Sequence, residues 1–226
     1  MKKILLLFTT ILFLFVSAIK SEAFFFKKRY IFIDGGAHKG ESIEAFMKTQ
    51  AYPLRKWEIY SFEANPELIP IILNKYKNVT VLNKAIWVND GSVDFYIAAE
   101  STLSSSIIKD KKTGMLSKTP ISVPSVNFSN WVKKKFRNKD YVVVKFDIEG
   151  AEYDVLDKML KDGSISLIDV LYIEFHNERV HINPAKDKEL VEKITNKETR
   201  VINEGFTPLP IGKRFNDCLS TSNKEK

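Results

Sequence analysis

Acidic residues stand directly after apolar runs at three points of the chain: IDGGAHKG at residues 33–40, SFEANPE at 61–67 and VKFDIEGAE at 144–152. Glycines at 35, 36 and 40 let a ligand approach the backbone closely. Their spacing, D-x-G-x-x-x-G, differs from the G-x-G-x-x-G of pyrophosphate binders, and Asp34 would repel a phosphate. A carboxylate there suits a ligand with an ammonium group. Glu63 can accept both hydroxyls of a ribose, as an acid does at a comparable place in dinucleotide sites. Ala85 and Ile86, after a further run, are small or apolar enough to flank an adenine. S-adenosylmethionine offers an ammonium, a sulfonium, a ribose and an adenine but no phosphate, and these groups jointly fit it.

At 147–150 two carboxylates and a glycine meet at the entry to a predicted helix. Acids at a helix start also offset its macrodipole, by about 0.3–1 kcal/mol each. Their place on the same strand-end rim as Asp34 and Glu63 favours an active-site edge over capping alone. A hydroxyl that attacks a methyl group must lose its proton, and Asp147, Glu149 and His176 are the candidate bases. For His176, a satisfied polar residue beside the sheet fits equally well. A divalent cation bridging Asp147 or Glu149 stays open, but no metal ligand is assigned, because carboxylates alone do not establish one.

These groups require a scaffold that brings strand ends together. Buried-type strands are expected at 30–33, 57–62, 79–82, 141–146 and 168–175, with an alternating strand at 92–97. Helices are expected at 41–48, 126–136, 151–160 and 184–196, and one that Asn65 caps ahead of Pro66. The alternation is that of an α/β domain with a mostly parallel sheet and helices on both faces. Segments 201–206 and 215–219 would close it as an antiparallel edge pair, and a seven-stranded sheet with an antiparallel edge strand is expected. The polar, turn-rich stretch 100–124 reads as a lid or substrate loop. One domain over 30–222 is expected, behind a leader at 1–29 and ahead of a frayed tail at 223–226.

Charge and cysteine narrow the partners. The chain carries a net charge of +7, but Lys2, Lys3, Lys20, Lys27, Lys28 and Arg29 against Glu22 put +5 of it within the first 29 residues. The remaining +2 argues against nucleic acid as a partner. The lone cysteine, Cys218, excludes an intrachain disulfide and a zinc site made of cysteines. The leader has two readings. A helix over 4–19 would reach about 24 Å, short of the roughly 30 Å hydrocarbon core, and Ser21 and Ala23 suit signal-peptide cleavage after Ala23. The basic residues that follow the run instead suit an uncleaved anchor with a cytoplasmic domain. Export and membrane association through residues 4–19 both remain open.

The stretches IFIDGGAHKGES, YSFEANPE, NKAIWVNDGSVDFYI, STLSSSI, VVVKFDIEGAEYDVL and IDVLYIEFH together resemble the FkbM-type methyltransferases over most of residues 30–176. The resemblance implies a Rossmann-like class I methyltransferase fold that uses S-adenosylmethionine. It implies cofactor contacts along the turn from Asp34 through Gly35, Gly36 and Ala37 to Gly40, a ribose contact by Glu63, and a pocket wall from Asp147 and Glu149. Asn65, Ala85, Ile86 and Asp147 are counted with the cofactor site. The implied reaction is O-methylation of a hydroxyl on a sugar, glycan or related small molecule. Gly35 is a departure, since a bulkier residue is more usual before the second glycine. The leader supports a rival reading, an exported binding protein that keeps the fold without turnover.

Overall fold

The computed structural model describes residues 28–99, 102–112 and 115–203. The leader through residue 27, the strand expected at 215–219 and the tail at 223–226 lie outside them. Among the described residues no helix is long and apolar enough to cross a membrane.

The scaffold is a six-stranded sheet in the order β3-β2-β1-β7-β8-β9. Its strands are β1 (Tyr30–Gly35), β2 (Trp57–Phe62), β3 (Val79–Leu82), β7 (Tyr141–Phe146), β8 (Val170–Ile173) and β9 (Arg200–Asn203), and every neighbouring pair is parallel. A parallel sheet is covered on both faces, so its strands read as near-continuous apolar runs, as YIFI and YVVV do. Alternate residues feed two cores. Ile31, Ile33, Val142, Val144 and Leu171 pack with α3 (Phe128–Lys135), α4 (Glu152–Lys161) and α5 (Ala185–Thr195) on one face. On the other, Phe32, Val143 and Tyr172 pack with α1 (Glu41–Met47) and α2 (Ile69–Lys75). There Phe32 stacks on Phe46 of α1, ring centroids 4.1 Å apart.

The strand order reverses between β1 and β7, and in open sheets of this winding the ligand crevice lies at that switch point, beyond the carboxyl ends of the strands. A second sheet of three strands, β4 (Ala85–Trp87), β6 (Ile121–Asn127) and β5 (Gly91–Phe95), stands beside it, with β6 central, parallel to β4 and antiparallel to β5. Asn65 caps the turn at Pro66–Leu68 as expected, its side chain accepting the Glu67 N–H at 3.0 Å.

The edge strand β9 runs parallel to β8, because α5 carries the chain back over the sheet before it re-enters; its expected antiparallel partner at 215–219 lies outside the described residues, which hold six parallel strands in the main sheet. One expectation needs correction. Residues 121–127, assigned to the end of a loop and the start of a helix, form β6, and α3 begins only at Phe128, where the Asn127 side chain accepts the Asn130 N–H.

Candidate cofactor and acceptor site

The carboxyl ends of β1, β2, β7 and β8 deliver the predicted groups to one rim. The β1 turn is stitched to its neighbour: Gly36 and Ala37 donate their N–H groups to the Phe62 carbonyl at 3.1 and 3.0 Å, and Asp147 donates its own to the Gly35 carbonyl at 3.2 Å. This closeness explains both glycines. A Cβ on Gly36, whose φ is +76°, would lie 1.9 Å from the Asp147 carbonyl oxygen. A Cβ on Gly35 would meet Phe146 at 2.8 Å and Ile86 at 2.9 Å, so the unusual glycine there fits this chain's own packing.

An open-sided cavity lies beyond the turn. Of the expected site residues, Gly36, Glu63, Ala85, Ile86, Asp147 and Glu149 line it. Asp34, Gly35, Ala37, Gly40 and Asn65 do not; they shape the turn from behind. Asp34 is fully buried, its carboxylate oxygens have no hydrogen-bond partner among the described residues, and the Lys145 ammonium lies 3.5 Å away. Burial pushes its carboxyl up to about 6, against the pull of Lys145. Asp147, at the end of the neighbouring strand β7, lines the cavity where Asp34 does not.

Glu63 is held by two backbone donors, His38 to Oε2 and Asn65 to Oε1, each at 2.7 Å. Burial outweighs both and raises the carboxyl to about 7. Through residues 36–40 every turn N–H is consumed inside the fold, by Phe62, Glu63, Glu41 or Ala37. No N–H of this turn remains to cradle a phosphate, whereas apolar Ile86 and Phe95 line the cavity together with Glu63. The donor set thus fits S-adenosylmethionine, which has a ribose and an adenine but no phosphate.

The other end of the rim is a charged cluster. His176 is 3% exposed and lies behind the cavity wall. Its N–H and its ring Nδ1 both contact Glu152 Oε1, at 2.9 and 3.0 Å, and its Nε2 faces Glu149 Oε2 at 3.4 Å and Asp147 Oδ1 at 3.6 Å. Burial lowers the affinity of His176 for a proton, but Glu152, Glu149 and Asp147 together reverse this and the net shift is upward. Glu149 adopts a positive φ of +57°, a strain that often marks a functional turn.

Three cations escaped the sequence reading. Lys145 reaches from β7 under the turn, its ammonium 3.0 Å from the Gly36 carbonyl and 3.4 Å from Asp147 Oδ2. A lysine inside the buried run YVVVKF was the visible signal. Lys111 is buried against Glu149 Oε2 and donates to the Ser104 carbonyl at 2.7 Å, and Arg179 lies 3.3 Å from the same Glu149 oxygen. The segment 102–112 that carries Lys111 folds down on this turn, Ser106 Oγ donating to the Glu149 carbonyl at 2.6 Å. Leu103, Ser105, Ser106 and Ile107 line the cavity, as a lid or substrate loop would.

A crystal structure of methyltransferase FkbM from Methylobacillus flagellatus KT is similar at 15% identity and a TM-score of 0.37, over 62% of this chain and 32% of that one. This chain thus spans about a third of that protein's length. Among curated proteins none matches. The methyltransferase FkbM domain matches residues 34–200, from the acid of the β1 turn to the first residue of β9, and the chain belongs to that methyltransferase family.

Proposed function

We propose that this protein transfers the methyl group of S-adenosylmethionine to a hydroxyl of a sugar, glycan or related small molecule. The observation that carries the reading is one cavity lined by Glu63, Asp147 and Glu149 together with apolar Ala85, Ile86 and Phe95. Glu63 keeps a free lone pair on each carboxylate oxygen and accepts the ribose hydroxyls. Asp147 faces the ligand's positive charges, and Lys145 holds the glycine turn against it.

The bound cofactor supplies a methyl carbon already activated by its sulfonium. The residues contribute alignment, which is worth most in an in-line displacement, and an outlet for a proton. The acceptor oxygen forms the new O–C bond as the C–S bond breaks, its electron pair leaves with sulfur, and the acceptor proton passes into the cluster of Asp147, Glu149 and His176 or on to solvent. Residues 102–112 exclude water from one side of this cluster.

Purified protein incubated with S-adenosylmethionine and a panel of sugars should release S-adenosylhomocysteine. An absence of cofactor binding by calorimetry would sink the reading. The apolar run at 4–19 adds export or membrane attachment, and N-terminal sequencing of the native protein separates them: a start at Phe24 means cleavage, an intact Met1 an anchor.

A further inference from the structure

We propose that Asp147, Glu149 and His176 form a binding site for one first-row divalent cation at the acceptor end of the cavity. Each offers one donor atom, and the three lie within 4.8 Å of one another. The separations from His176 Nε2, 3.4 Å to Glu149 Oε2 and 3.6 Å to Asp147 Oδ1, are close to the roughly 3.0–3.4 Å between neighbouring ligands bonded at about 2.1 Å to one ion.

His176 itself points to the ion. Its Nε2 is buried and has no hydrogen-bond partner among the described residues. On the opposite side of the ring, Nδ1 is 3.0 Å from Glu152, a fully buried carboxylate whose other oxygen accepts the Gly150 N–H at 2.8 Å. This carboxylate–histidine pair sets the tautomer with the proton on Nδ1 and turns the Nε2 lone pair toward two carboxylate oxygens, as outer-shell acids do behind metal-binding histidines. A lone pair aimed at two anions is repulsive unless a positive charge, a proton or a metal ion, stands between them.

Charge and chemistry narrow the ion. Asp147, Glu149, Glu152 and Glu174 gather around His176, against the nearby cations Lys111, Lys145 and Arg179. Two carboxylates and an imidazole suit Mn²⁺, Fe²⁺ or Zn²⁺ better than Ca²⁺, which takes oxygen ligands. Asp147 and Glu149 both line the cavity, so the ion's remaining positions face the acceptor. Lys111 sits on the same Glu149 oxygen and competes with the ion for it. The ion's role, holding the acceptor hydroxyl and easing loss of its proton, rests on the proposed methyl transfer; its binding does not.

The test is titration of the metal-stripped full chain with MnCl₂ alone, followed by electron paramagnetic resonance, with S-adenosylhomocysteine binding measured separately by calorimetry. One Mn²⁺ per chain is expected, with affinity falling at least tenfold in His176→Ala and about 10–100-fold in Glu152→Gln, and rising in Lys111→Ala. Spin-echo spectra of the wild type should carry the nitrogen coupling of an imidazole ligand, which needs no variant to fold. No bound Mn²⁺, or bound Mn²⁺ without nitrogen coupling, overturns the site. Methyl transfer that persists in chelator overturns the metal's role but leaves the proposed function standing. Failure to bind S-adenosylhomocysteine with Mn²⁺ bound does the reverse.

Discussion

The two ends of the same central strands treat charge in opposite ways. At their amino ends, Tyr30 of β1 faces Trp57 of β2 and Tyr141 of β7, with ring centroids 5.6 and 5.9 Å away. Lys28 lies 5.3 Å from the Tyr141 ring and Arg55 5.3 Å from the Tyr30 ring. Arg29 clamps Asp140 and keeps that carboxyl below its ordinary range despite burial. At the carboxyl ends, four residues on from Tyr30 and six on from Trp57, burial wins: Asp34 and Glu63 are pushed up, and His176 faces acids through an atom with no hydrogen bond among the described residues. One end is satisfied and serves stability. The other is left short of partners, as a surface awaiting a ligand must be.

The sharpest way to break this contrast is at the rim. Asp147→Asn should lower kcat by about 10²–10⁴-fold, the range for loss of a group at the reacting atoms, with little change in melting temperature because the side chain is about a third exposed. Steady-state kinetics beside thermal melts check it. Gly36→Ala should cost roughly 2–4 kcal/mol of stability and abolish cofactor binding, since the new methyl overlaps the Asp147 carbonyl in a left-handed backbone. Urea unfolding and calorimetry read the two effects.

At the opposite end, Arg29→Ala should cost about 1–3 kcal/mol by leaving Asp140 buried without its cation, yet change cofactor affinity less than twofold. A large loss of cofactor binding in that variant would dissolve the distinction between the ends.

The smallest effect is a pH dependence. Glu63 must be ionised to accept two ribose hydroxyls, and its carboxyl titrates at about 7. S-adenosylhomocysteine should therefore bind about tenfold tighter at pH 8 than at pH 6, and Glu63→Gln should bind weakly with no such slope. The stability sign is the reverse. A carboxyl raised above its ordinary 4.5 stabilises the ligand-free fold fully below that pH, and the contribution is lost as the pH rises through about 7.

Much of the rim was readable because parallel strands are short apolar runs and whatever follows them lands on one edge. Asp34, Glu63 and the 147–150 turn could be placed that way from order alone. The depth of Asp34 could not, since a one-residue change along a strand end decides between cavity wall and core. Nor could β6: Pro124 interrupts its alternation and argues locally for a turn, while its pairing with β4 and β5 depends on distant residues. Lys111 meets Glu149 across 38 residues of chain, and no local pattern announces such a contact.

The central claim is that Glu63 and Asp147 grip opposite ends of one nucleoside-bearing ligand. A crystal structure of the protein with S-adenosylhomocysteine tests it most directly. The account predicts ribose hydroxyls within hydrogen-bond reach of Glu63, adenine beside Ile86, and sulfur directed toward Asp147. A ligand seated elsewhere, or ribose hydroxyls that leave Glu63 untouched, would contradict it.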